Sequence, residues 1–299
     1  MKRPELLEVV FHRLVACSGY RQISRELGVA HTTVMRIAQR LARHCLLYHC
    51  HHARKLKISE TVVVDGFETF AHSQFYPCHL NLAVGGGSHF TYSFTEAELR
   101  RKGRMTEWQR ARRAELEALY GRPDPRAIEK SIATLVTTLP VVSGTVLRVH
   151  SDEHRAYPRA LQRVPTPIEH SVTSSRVARV PSNPLFPVNL ADLLLRHSSS
   201  NHKRETIAFS KTMQSVIDRL AIFVVWRNWA KSFSERLQDA TPAMRIGLAR
   251  KKHTLAEILD ERHFVSRITL PVPWYGYYRR QVATRPRGRG RPHRLRYAD

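Results

Sequence analysis

The stretch Thr61-Val-Val-Val-Asp-Gly-Phe-Glu-Thr-Phe constrains this chain most. It is a β-branched run with a carboxylate, Asp65, in its middle. Valines at successive positions should bury both faces of a sheet, so the run reads as an inner strand. A lone carboxylate in that setting is costly unless something compensates it.

The segments after this run supply the rest of a layered fold. His79 to Val84 and Ser88 to Phe94 read as two further strands, joined by the glycines Gly85 to Gly87 as a hairpin turn. No Gly-Lys-Ser/Thr succeeds those glycines, which argues against a phosphate loop. The Arg-dense helical stretch from Thr95 to about Gly121 reads as an insertion, ended by Pro123 and Pro125. A helix from Ala127 to about Leu139 then precedes a strand, Gly144 to His150, which delivers Ser151 and Asp152 at its end. A short helix (His154 to Leu161) and an extended piece (Pro167 to Thr173) come next. A helix beginning near Asn189 and a long apolar helix within Ser210 to about Arg236 complete the pattern.

If the first and fourth strands are neighbours, Asp65 and Asp152 converge although 152 − 65 = 87 positions separate them. Convergent carboxylates repel, and a divalent cation relieves that repulsion; hard oxygen donors favour Mg2+ or Mn2+. The plainer alternative makes Asp65 a turn residue before Gly66 and Asp152 a helix N-cap.

Ahead of this block, Leu6, Leu7, Val10 and Leu14 mark one face of a helix. The sequence from Tyr20 to Ala38 then has the spacing of a helix-turn-helix. Ile23, Leu27, Val29, Val34 and Ile37 would form its small core, with Ser24 at the crossing and Gly28 in the turn. Its second helix would show His31, Thr32, Thr33, Arg36 and Arg40 to a major groove. Charge agrees: 49 Lys+Arg against 25 Asp+Glu give a formal +24, more than solubility needs and suited to a polyanionic partner. An apolar share of 42% is enough for a real core and excludes a wholly disordered basic chain.

The amino-terminal apolar stretch is broken by Glu8, His12 and Arg13, unlike a signal peptide. The longest apolar run, Leu220 to Trp226, is too short to span a bilayer. Cys17, Cys45, Cys50 and Cys78 do not suggest a disulfide framework, so a reduced, cytoplasmic (nucleoid-associated) setting is expected. His44, Cys45, His49, Cys50, His51 and His52 lack the paired spacing of a structural zinc site and read as a solvated linker.

A helix-turn-helix, an Asp within the first strand and Ser151-Asp-Glu-His-Arg-Ala-Tyr157 after the fourth together resemble the DDE transposases. The similarity is to the insertion-sequence-one-like group, and it continues in Arg204-Glu-Thr-Ile-Ala-Phe-Ser-Lys211. The resemblance runs from roughly Tyr20 to Arg236 and implies an α/β fold, an N-terminal helix-turn-helix followed by a ribonuclease H-like mixed sheet flanked by helices. The implied divisions are a DNA-binding domain (1–48), a linker (49–59), a catalytic domain (60–240, insertion at about 95–125) and a basic extension (241–299) with a disordered tail.

The same resemblance implies that Asp65 and Asp152 are catalytic metal ligands and that a third acid, usually Glu, lies on the helix after the fifth strand. Here the sequence departs from the family. The aligned position is Asn189; a related branch has Asn-x-x-Glu, which Asn189-Leu-Ala-Asp192 matches with Asp for Glu. Asn189 and Asp192 rank level as third ligand, and Glu205 comes after them. Asn189 with Asp192 could equally be a capping box. Arg196, His202, Lys203, Arg204 and Lys211 are candidates for holding phosphates. Arg289-Gly-Arg291-Pro resembles an AT-hook core entering a minor groove.

The implied activity is metal-dependent cleavage and strand transfer on double-stranded DNA, element ends and target, by a homo-oligomer assembled on DNA and without membrane involvement. Family members commonly carry a zinc ribbon before the helix-turn-helix, and this sequence starts at MKRPELL without one. The alternative is a catalytically inactive or truncated derivative that only binds DNA as a regulator.

Overall fold

The valine run forms β1 (Val62–Phe70), and β1 is the middle of a five-stranded sheet with order β3-β2-β1-β4-β5. This is a computed structural model; it describes residues 3–142, 144–203, 206–236 and 238–290. In chain order the elements before the sheet are α1 (Leu6–Val15), α2 (Tyr20–Glu26) and α3 (His31–Ala53). After β1 come β2 (Pro77–Gly85), β3 (Thr91–Glu98), α4 (Glu107–Tyr120), α5 (Ala127–Thr137), β4 (Leu147–Ser151), α6 (Ala156–Leu161) and β5 (Ile168–Val172). The remainder is α7 (Phe186–Ser198), α8 (Met213–Val225), a π-helical turn (Trp226–Ala230), α9 (Pro242–Arg245), α10 (Leu255–Asp260), α11 (Val272–Tyr278) and a hairpin of β6 (Ala283–Thr284) and β7 (Gly288–Arg289).

The first three strands are antiparallel, Asp65 facing Leu82 across β1–β2. The last two run parallel to β1, with Val62 beside Val149 and Leu147 beside Ile168. That is the mixed, helix-flanked sheet expected for a ribonuclease H-like core. The glycine turn between β2 and β3 is held by Glu60, whose carboxylate accepts from the backbone N–H groups of Gly87 (2.7 Å) and Ser88 (2.9 Å). Gly66 is obligatory for a different reason: a Cβ there would lie 2.0 Å from the Leu80 carbonyl oxygen, so β1 and β2 could not pair at this spacing.

α5 packs on β2 and β3, and α7 on β1 and β2. Several boundaries differ from those expected from the sequence. β3 continues to Glu98, and α4, which buries none of its residues, begins only at Glu107 after its Thr106 cap. α7 starts at Phe186 with Pro187 in its first turn, so Asn189 is inside the helix and is not its cap. The first five residues of the expected linker (49–59) are instead the end of α3: Cys45, Tyr48 and His49 are buried, so the helix keeps an inner face to pack as far as Ala53.

α1–α3 share one hydrophobic core with the rest of the chain, and α3 lies along α8. α2 and α3 meet around a turn in which Gly28 has φ +61° and the Ser24 hydroxyl donates to the Val29 carbonyl (2.6 Å). This is consistent with the expected helix pair. Residues after 241 are folded against the core through 290: Trp274 donates to the Phe94 carbonyl (3.0 Å) and Arg280 pairs with buried Asp218 (3.1 Å). The β6–β7 hairpin ties down Arg289, part of the expected disordered tail, because its strands satisfy each other's backbone groups. Among the described residues no helix is long and apolar enough to cross a membrane.

Candidate active site

Asp65 sits half-buried within β1, not at a turn. The β1–β4 pairs Val62–Val149 and Val63–His150 are 149 − 62 = 87 positions apart, the same offset that separates Asp65 from Asp152 two positions further on. The two acids are near enough for the charge of Asp152 to act on Asp65. Burial raises the Asp65 carboxyl to about 6, and the negative charge of Asp152 adds to the rise. The Gly66 N–H and the Tyr157 hydroxyl, which donates to Asp65 Oδ1 at 3.0 Å, oppose it.

Asp152 stands just past the end of β4. Its Oδ1 accepts from the His154 N–H (2.8 Å), closing the tight turn into α6; the α6 cap position is Arg155, so Asp152 is not the N-cap. That turn aims Tyr157, buried in the first turn of α6, back at Asp65. The histidine rings that flank Asp152 in the sequence engage other groups: His150 shares a hydrogen bond with Thr173 (2.7 Å), and the His154 ring packs near Tyr157.

α7 brings a further carboxylate, Asp192, near Asp65. Asp192 has an Oδ1 that is shielded from solvent and has no hydrogen-bond partner. Burial pushes its carboxyl well above the usual range and the charge of Asp65 pushes it further, while Arg196 and Arg179 pull it down. Asp192 and Asn189 both line a cleft of about 620 Å³ whose floor includes Asp65 and whose walls carry Arg179, Arg196 and Lys203. Arg196 is braced: it donates to the carbonyls of His202 (3.0 Å) and Glu68 (3.1 Å) and lies over the Phe67 ring. Hard oxygen donors on the central strand β1, just past β4 and on α7, with one donor oxygen unpartnered, fit a divalent cation.

The remaining candidates separate. His31, Thr32, Arg36 and Arg40 are exposed on α3, and Thr33 is half-buried. Lys203 opens on the acid cleft, whereas Lys211 lines a groove shared with His31 and its ammonium sits over the Phe209 ring. Arg289 is exposed on β7. Arg204, Glu205 and Arg291 lie outside the described residues. His202 is fully buried, with its imidazole pushed down to about 3 by burial, so it cannot contact a phosphate. Sequence reasoning missed the role of Tyr157, whose only signal was its spacing five residues after Asp152, and of Arg179, for which no local signal existed.

No protein-family model matches this chain, and no curated protein matches it. Among solved structures it is similar to the cryo-EM structure of a simian T-cell lymphotropic virus intasome in complex with PP2A regulatory subunit B56 gamma. The match covers 81% of this chain and 73% of that chain, at 14% identity and a TM-score of 0.29, a likeness too slight to bear on function.

Proposed function

We propose that this chain is a metal-dependent DNA-cleaving and strand-joining enzyme of the transposase kind, with Asp65, Asp152 and Asp192 as its metal-binding carboxylates. The observation that supports the reading is that buried Asp65 feels the charge of Asp152, just past β4, and that Asp192 of α7, with an orphaned oxygen, feels the charge of Asp65, in a chain of charge +24. A purely DNA-binding protein has no use for carboxyls held in such unfavourable burial.

A Mg2+ or Mn2+ ion held by these acids supplies charge stabilisation for in-line displacement at a phosphodiester. The chain's own groups do the rest. Tyr157 fixes the Asp65 carboxylate, and Arg179, Arg196 and Lys203 offer a positive rim to the DNA backbone. Asn189, on the same helix as Asp192, lines the cleft as a polar neighbour and not as the third acid. The exposed face of α3 (His31, Thr32, Arg36, Arg40) reads sequence, and Lys211 with Arg289 extends the basic surface. On this reading residues 1–48 supply recognition, 60–240 catalysis and 241–299 a basic support, and copies assemble on paired DNA ends.

The test is cleavage and strand transfer with Mn2+ on DNA carrying the element ends, comparing wild type with Asp65→Ala and Asp152→Ala while DNA binding is measured separately. Activity lost with binding retained supports the enzyme. Equal activity in all three sinks it, and binding without activity in wild type favours the inactive-derivative reading.

A further inference from the structure

A second group of metal-ligating side chains lies outside the acid cleft. His51, in the last turn of α3, meets Glu261 and His263, which come just after α10; one donor atom from each lies within 4.8 Å of the others. His263 is 6% exposed, and its Nε2 is 3.3 Å from Glu261 Oε2 but has no hydrogen bond. The His51 and His263 rings are 4.6 Å apart. His52 holds the same carboxylate oxygen of Glu261 at 2.9 Å.

The neighbouring histidines are otherwise engaged. His44 Nε2 is 2.6 Å from the Ile258 carbonyl, His49 Nε2 is 3.0 Å from that of Tyr92, and His253 shares a hydrogen bond with Tyr48. The His-rich stretch of the sequence therefore divides. Most of it faces the core, and only its end turns towards a loop 261 − 51 = 210 positions away.

We propose that His51, Glu261 and His263 form a zinc-class transition-metal site that clamps the end of α3 to the segment after α10. Two borderline imidazole nitrogens beside one carboxylate oxygen make a donor set that favours zinc over magnesium. Zinc ligands at about 2.1 Å in a tetrahedron stand about 3.4 Å apart, a separation that His263 and Glu261 already have and that His51 reaches by a small ring movement. His52 is the orienting partner of Glu261, as metal-bound carboxylates usually have one. The site shares no residue with the acid cleft and does not depend on the proposed function.

The experiment uses the full chain without a histidine tag, stripped with chelator and titrated with Co2+ and then Zn2+ in excess Mg2+. Wild type should show the visible bands of tetrahedral Co2+, quenched by about one equivalent of Zn2+. The bands should persist in Asp65→Asn. In His51→Asn/His263→Asn, zinc affinity should fall by more than about 100-fold, beyond the loss of an outer hydrogen bond. Glu261→Gln, at a part-exposed loop position, is the variant to use if the double variant does not fold. X-ray absorption on wild-type protein, expected to show two imidazoles on zinc, needs no variant. Absence of tetrahedral bands in wild type, their survival in the His51/His263 variant, or their loss in Asp65→Asn would overturn the proposal.

Discussion

Two clusters of ionisable groups are built in contrasting ways. In the cleft, oxygen donors are carried by the interior of β1 and by α7, and arginines flank them. At the joint between α3 and residues 261–263, imidazoles pack against one another and near Tyr48, beside a single carboxylate. Both rely on burial to shift pKa values, with opposite consequences. Burial drives the Asp65 and Asp192 carboxyls towards the protonated form, so the cleft demands positive charge before it can ionise fully. Burial drives His51 and His263 towards the neutral form, leaving their lone pairs ready as they stand. The cleft should therefore take a hard cation in competition with protons, and the joint a softer one with little such competition.

The sharpest break in this comparison is chemical. Asp65→Asn or Asp152→Asn should cut DNA cleavage by about 10³-fold or more, the scale of losing a positioned electrostatic group, and leave zinc content unchanged; a variant losing both would merge the two sites. Next, Asp192→Asn should cost about 100-fold in cleavage rate, whereas Asn189→Ala should cost less than about tenfold, measured as single-turnover rates on the same DNA; the reverse order would make Asn189 the third ligand.

Metal removal probes the joint. Chelation should lower the melting temperature by about 2–4 °C for each kcal/mol of metal-linked stability, and zinc but not magnesium should restore it.

A subtler effect concerns pH. Asp65, raised from 3.8 to about 6 by burial, favours the folded state most below pH 3.8, and that contribution is lost as pH rises through 6. Mg2+ should therefore raise the melting temperature of wild type more at pH 7.5 than at pH 5. Tyr157→Phe removes a hydrogen bond that lowers the Asp65 pKa, so the acidic limb of the activity profile should move to higher pH. The smallest effect is expected for Arg36→Ala, which should reduce the salt-dependence slope of DNA binding by about 1.

Much of the cleft was legible in the chain. Three consecutive valines before Asp65 announced an inner strand, and the meeting of the acids hung on the condition that β4 lies beside β1, which the sheet order satisfies. Asp192 was legible only as one of two choices, because selecting it depends on where α7 begins and which face meets Asp65. Arg179 was invisible: it belongs to an irregular segment whose path is set by long-range packing.

The joint was misread for a simpler reason. Leu41, Cys45, Tyr48 and His49 continue the inner face of α3, but histidines score as polar, so the apolar period looked finished. The other ligands, Glu261 and His263, lie too far along the chain for any spacing rule to join them.

α3 itself has a consequence for where DNA would be cut. Its 23 residues span about 34 Å at 1.5 Å each, with an exposed basic beginning and an end locked into the core. Such a helix acts as a gauge. Under the proposed activity, the reading face would be set rigidly against the sheet that carries the acids, not by the reach of a tether. One residue inserted in its middle would rotate the reading face by about 100° and put it out of phase with the groove.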